Sequence, residues 1–138
     1  MAKRVVLDTN VLLVSISEKS KLHWIFEKLL NKDYKLCVTT DILDEYAEII
    51  ERHMGSEASE NILKTLENLS NVEKITRYYR FRLLKDEDDD KFVDCSIAAN
   101  ASYIVSHDKD FKILETIPFP KVKVINTEAF KEDLESDK

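Results

Sequence analysis

The stretch Val5–Val14, VVLDTNVLLV, constrains this chain more than any other. It is apolar on both sides of one polar notch, Asp8-Thr9-Asn10. A β-branched apolar run of this kind predicts a strand buried on both faces of a sheet. A carboxylate at the C-terminal end of such a strand stands where open α/β sheets bind ligands. Asp8 is costly there without a partner, and a metal ion is one partner that would satisfy it. Capping of a following turn or helix by Asp8 or Asn10 explains the notch equally well. The choice depends on the rest of the chain.

Downstream, strand and helix signals alternate. Lys21–Leu30 spaces its apolar residues as a helix does, with Ser20 available as a cap and Trp24 as a packing residue. Tyr34–Val38 predicts a short strand. Thr39-Thr40 then precede Asp41–Met54, whose Ile42, Leu43, Tyr46, Ile49 and Ile50 form one stripe and which Gly55 terminates. Most acids on that helix suit a solvated face, but Glu45 borders the stripe and is a candidate ligand. Ser56–Leu69 predicts a further helix and Val72–Ile75 a strand.

Arg77–Lys85, RYYRFRLLK, interleaves basic and aromatic residues. Such a mixture suits phosphate contacts and base stacking. The simpler reading is an amphipathic strand whose rings pack inward. Asp86–Asp90, DEDDD, is the densest acidic run and opens directly onto the apolar helix Lys91–Ala101. A helix dipole stabilises one or two acids at its start. Five in succession repel one another, which favours a cation site over a solvated loop. Tyr103–Ser106 predicts another buried strand, followed by His107 and Asp108, a repeat of the arrangement at Asp8. Pro118 and Pro120 bracket a turn, Val122–Ile125 is a last strand, and Thr127–Phe130 begins a closing helix. Lys131–Lys138 is expected to be a frayed charged tail, leaving one domain over residues 1–130.

This alternation predicts an α/β three-layer sandwich, with a central, mostly parallel sheet flanked by helices. Asp8 and Asp108 then fall at one sheet edge. Glu45 and the acidic run occupy first turns of helices starting at that edge. The acids of four segments would thereby converge, with no Cys or His partners of the kind structural zinc requires. All-oxygen donors favour Mg²⁺ or Mn²⁺, and a pair of such ions can drive phosphodiester hydrolysis. The net charge of −6 over 138 residues argues against a general nucleic-acid coat but agrees with a cation site. No nucleophile with a partnered base and no glycine-rich phosphate loop is visible. Cys37 and Cys95 fit buried small hydrophobes in a reducing compartment, and no run is long enough to span a membrane. Asp8 interrupts the run that Lys3-Arg4 might introduce as a signal peptide, so a cytoplasmic protein is expected.

VVLDTNVLL, TTDILDEYAEII, DEDDDKFVDCSIA and ASYIVSHDKDF, in that order, resemble the four successive motifs of PIN domains. The subgroup they resemble comprises toxin components of toxin–antitoxin pairs. The resemblance spans Arg4 to Phe130. It implies a fold similar to flap-type nucleases, Mg²⁺ or Mn²⁺ as cofactor, and cleavage of single-stranded RNA. It further implies a cognate antitoxin as partner and a homodimer. It places catalytic and metal-binding roles on Asp8, Glu45, Asp89 and Asp108. Glu87 replaces the subgroup's usual proline, and Asp90 is also acidic, so the third acid is Asp89 or Asp90. Asp94, one turn on, would support the site from behind. Asn10 would orient Asp8 or a bound water, and Ser106 keeps the hydroxyl of a common threonine. Arg77, Arg80 and Arg82 are the candidate phosphate contacts. Two other classes compete: a non-catalytic PIN scaffold that binds RNA or protein, and a receiver-like phosphoacceptor domain. The second would want an acidic pair after the first strand, where only Asp8 stands.

Overall fold

The computed structural model describes residues 2–136. Its strands are β1 (Arg4–Leu7), β2 (Lys35–Val38), β3 (Val72–Lys74), β4 (Tyr103–Val105) and β5 (Val124–Ile125). They form one sheet in the order β3-β2-β1-β4-β5, and every pairing is parallel. The helices are α1 (Thr9–Ile16), α2 (His23–Leu30), α3 (Thr40–Met54), α4 (Ser56–Asn68), α5 (Glu87–Ala99) and α6 (Thr127–Ser136). A 3-10 helix covers Lys109–Thr116. The expected α/β architecture is therefore present, a parallel sheet flanked by helices. A receiver domain would order its strands 2-1-3-4-5. Here β3 lies outside β2, which excludes that reading.

From β1 the chain builds outward to β2 and β3, then crosses to β4 and β5 on the other side. The order therefore reverses between β1 and β4. The crevice at the carboxyl ends of those two strands is where open α/β sheets bind ligands.

Burial explains why these segments form strands. Val5, Val6 and Leu7 are fully buried, as are Leu36, Cys37, Val38, Ile104 and Val105. Continuous apolar runs are what strands covered on both faces require. The Val5–Val14 run divides, however. The strand ends at Leu7, and Thr9–Ile16 turns helical to bury Val11 and Leu12. Asp8 is the junction. Tyr46 of α3 donates its hydroxyl to the Leu7 carbonyl at 2.5 Å, tying that helix to the end of β1. Thr39 caps α3 by accepting the Ile42 N–H, and Gly55, at φ +94°, ends it. Asp86 caps α5 by accepting the Asp88 N–H at 2.9 Å. Asn100, in the left-handed conformation, closes α5. Between these ends α5 lies against β1, β2 and β4.

Several expectations need correction. The second helix starts at His23, because the Ser20 hydroxyl accepts the Leu22 N–H within the preceding turn rather than capping the helix. Residues 77–85 form no strand; they run as an irregular arm over α5. Lys131–Ser136 is not frayed but continues α6. Leu134 reaches the core, and Asp133 accepts from Lys3 and from the Tyr103 hydroxyl. Residues 137 and 138 lie outside the described residues. Cys37 and Cys95 are free and buried, as expected, and burial pushes the Cys37 thiol up to about 11.

Candidate active site

Three segments bring Asp8, Asp89 and Asp108 with Asp110 to the crevice at the ends of β1 and β4. Asp8 follows β1 directly, and its N–H continues the ladder to the Val105 carbonyl at 3.1 Å. Ser106, just after β4, joins the two sides. Its hydroxyl donates to Asp8 Oδ2 at 2.7 Å and accepts the Asp108 N–H at 2.9 Å. Asp108 in turn accepts the Asp110 N–H at 2.9 Å, which starts the 3-10 helix. The first turn of α5 supplies Asp89. Asp89, Asp108 and Asp110 each place a carboxylate oxygen so that all three lie within 4.8 Å of one another. Such a spacing of hard oxygen donors suits a divalent cation of the Mg²⁺, Mn²⁺ or Ca²⁺ kind, and the absence of sulfur and imidazole disfavours structural zinc. The donor set thus fits a hard divalent cation, the class of ion expected from the sequence.

Electrostatics agree with crowding of like charge. Burial pushes the Asp89 carboxyl up to about 6, and Asp86, Asp108, Asp110 and Asp8 add to the shift. Burial also raises Asp8, and Asp108 and Glu45 push the same way. The Ser106 hydroxyl and the nearby Asn10 N–H act against it. The Asp8 side chain makes no capping hydrogen bond to α1. Asp8 therefore faces the crevice instead of capping α1. A cavity of about 310 Å³ opens beside it, lined by Asp8, Asn10, His107 and Asp108 with Val11, Val14 and Leu22.

Glu45 lies in the second turn of α3, not the first. It does not join the aspartate trio. Lys91 Nζ pairs with Glu45 Oε1 at 2.6 Å, and the Thr9 hydroxyl donates to Oε2. Burial works against the Lys91 charge, but Glu45, Asp88 and Asp41 outweigh it and raise its pKa. The two candidates for the third acid separate cleanly in direction. Asp90 is buried and turns away to accept the Leu84 N–H at 2.9 Å. Asp89 faces Asp108 and Asp110.

A model of the PIN-domain family matches residues 4–110. The chain belongs to the PIN-domain family. Solved structures with the same fold include VapBC2 of Rickettsia felis, bound to a DNA fragment of its promoter. That match has a TM-score of 0.62 and 20% identity, over 89% of this chain and 98% of that one. DNA-bound VapBC of Salmonella typhimurium matches with a TM-score of 0.57 and 16% identity, over 91% and 98%. VapC20 of Mycobacterium tuberculosis, a toxin that cleaves the sarcin–ricin loop, matches with a TM-score of 0.56 and 15% identity, over 86% and 98%. No curated protein matches by sequence.

Within this PIN domain two residues at the site escaped the sequence reading. Asp110 was visible in HDKDF, but nothing in a bare D-x-D shows that a 3-10 turn will aim both carboxylates together. In the sequence Lys91 marks only the start of an apolar helix. Its ion pair with Glu45 joins α5 to α3, and no local pattern reports a contact between separate helices. Asp94 does not support the cluster. It is 2% exposed and accepts the Phe81 N–H at 3.1 Å and Arg77 Nη1 at 3.4 Å. Arg77 also pairs with Asp41 at 3.3 Å, so it is a structural anchor and not an available phosphate contact.

Proposed function

We propose that this PIN domain is a divalent-metal-dependent endoribonuclease acting on single-stranded RNA, and the toxin of a toxin–antitoxin pair. The convergence of Asp89, Asp108 and Asp110 carboxylates within 4.8 Å carries the reading. Asp89, Asp108 and Asp110 would hold Mg²⁺ or Mn²⁺, with Asp8 beside them. When bound, such an ion supplies positive charge against the negative charge that develops in phosphodiester hydrolysis. Ser106 orients Asp8 through its hydroxyl and fixes Asp108 through the backbone. Lys91 and Thr9 hold Glu45 at the α3 side of the crevice, where its approach to an ion depends on release from Lys91.

A single strand is favoured because the chain, at net charge −6, offers the one short basic-aromatic stretch Arg77–Lys85, and a duplex reader would want a broader basic face. The antitoxin partner rests on the VapBC neighbours. A homodimer is part of the same reading. No helix among the described residues is long and apolar enough to cross a membrane.

The test is cleavage of a diverse unstructured RNA pool by wild type and Asp108→Asn, with Mn²⁺ or with EDTA. Cutting by wild type in Mn²⁺ alone is expected, with at least about 100-fold loss in the variant. Equal cutting by both proteins would mean the site lies elsewhere. No cutting by wild type would favour the non-catalytic scaffold.

A further inference from the structure

The arm formed by residues 77–85 has buried anchors and exposed rings. Arg77 is clamped by Asp41 and Asp94, the Phe81 N–H bonds to Asp94, and the Leu84 N–H bonds to Asp90. Asp90 and Asp94 belong to α5 and are buried. The peptide is therefore fixed at three places on the helix that also carries Asp89. Between the Phe81 and Leu84 anchors, Arg82 takes φ +52°, a kink that residues with a Cβ seldom adopt.

The aromatic side chains go the other way. Tyr78 is 82% exposed, Tyr79 74% and Phe81 39%. This overturns the expectation that these rings pack inward. The Tyr79 and Phe81 rings lie 6.4 Å apart, tilted by 52°. Arg80, Arg82 and Lys85 form no close ion pair among the described residues, with the Arg80 charge acting at longer range on Asp94. They line a cavity of about 390 Å³ whose other wall includes Glu87, Asp88 and Lys91 from the start of α5. The arm thus continues directly into the turn that bears the acid cluster.

We infer that this arm is a platform for single-stranded RNA, with bases stacked on Tyr78 and Tyr79 and phosphates met by Arg80 and Arg82. The inference rests on the nuclease reading of the neighbouring site and names how its substrate is gripped. Exposed rings beside cations are the composition by which sequence-tolerant single-strand binders work, because every base has a face to stack. An acidic or apolar protein partner would leave one half of that pairing unused. Anchoring by buried aspartates keeps the arm ordered before RNA arrives, which lowers the ordering cost on binding.

The experiment measures affinity for a short unstructured RNA by fluorescence anisotropy, using the full chain in an Asp108→Asn background so that no cleavage intervenes. The combined Tyr78→Ala and Tyr79→Ala variant should bind about 30-fold more weakly. Its melting temperature should not change, since neither ring is buried. Tyr78→Phe with Tyr79→Phe keeps the rings and should bind like the parent. Arg80→Ala should flatten the salt dependence by about 0.7 in slope. Undiminished affinity of the alanine variant overturns the proposal, whether or not wild type cleaves RNA. So does loss of self-association in that variant with RNA affinity intact, which would make the arm a protein interface. Arm-dependent affinity in a protein that never cleaves supports the platform and sinks only the nuclease reading.

Discussion

Asp8 is held under two opposed influences, a hydroxyl that stabilises its charge and a burial that penalises it. Burial and the neighbouring Asp108 and Glu45 win, and the carboxyl is shifted upward. Asp8→Asn should therefore stabilise the metal-free protein, because the amide oxygen can still accept from Ser106 while the repulsion disappears. A gain of about 1 kcal/mol, or ~2–4 °C in melting temperature for a chain of this size, is expected by calorimetry in EDTA. A lower melting temperature would show that the Asp8 charge is compensated. Asp89 sets a pH dependence. Its folded pKa of about 6 exceeds the ordinary value, so folding favours the protonated form. That contribution is full below about pH 4 and is lost as the pH rises through about 6. In EDTA, wild type should lose more stability than Asp89→Asn between those pH values. Parallel pH profiles would contradict the crowding at Asp89. The sequence made Asp8, Asp89 and Asp108 legible because each ends an apolar strand or opens an apolar helix, positions that topology carries to one edge. It left Asp90 tied with Asp89, because only the direction of each side chain separates them, and that direction is set by the Leu84 N–H nine-tenths buried beside Asp90.

At the scale of elements, the strands and the larger helices were legible from apolar period alone. α3 could be read from the Thr39 cap through to Gly55, because each device that starts or stops it is local. The arm departs from its strand pattern for the opposite reason. Alternating rings and arginines satisfy a strand pattern, but the backbone N–H groups of Phe81 and Leu84 are claimed by the Asp94 and Asp90 carboxylates of α5, the helix that follows. With its donors spent there, the segment has no ladder to join. α6 ran beyond its expected end because Leu134 finds the core, and because Lys3 and Tyr103, far away in sequence, hold Asp133. Asp94→Ala tests the arm directly. It strips the Phe81 N–H of its acceptor and leaves half-buried Arg77 with Asp41 alone. A loss of about 1–3 kcal/mol is expected, together with faster tryptic cutting at Arg80 and Arg82. Unchanged proteolysis would mean that Asp94 does not hold the arm. Lys91→Met should act at a different joint. It leaves Glu45 without its counter-ion, and a drop of about 1–3 kcal/mol in EDTA is expected, with part of it recovered in Mn²⁺. An unchanged melting curve would place the ion pair among those that contribute nothing to stability.

For the whole molecule, the strand order supplies the crevice and the sequence supplies the charge that fills it. The order β3-β2-β1-β4-β5 sets the ends of β1 and β4 side by side, so that Asp8 and Asp108, 100 residues apart in sequence, share one hydroxyl at Ser106. An acidic chain that concentrates like charge at one crevice gives up stability unless a cation is present. An ion that binds only the folded state returns that stability by mass action, by about 2.7 kcal/mol at 100 times its Kd. The most direct measurement is Mn²⁺ binding by titration calorimetry, paired with melting curves, on metal-free wild type and on the combined Asp89→Asn, Asp108→Asn variant. The expected result is saturable binding and a rise of several degrees in the wild-type melting temperature, with both lost in the variant. A wild-type melting curve unmoved by millimolar Mn²⁺, or a variant that responds as wild type does, would contradict the account.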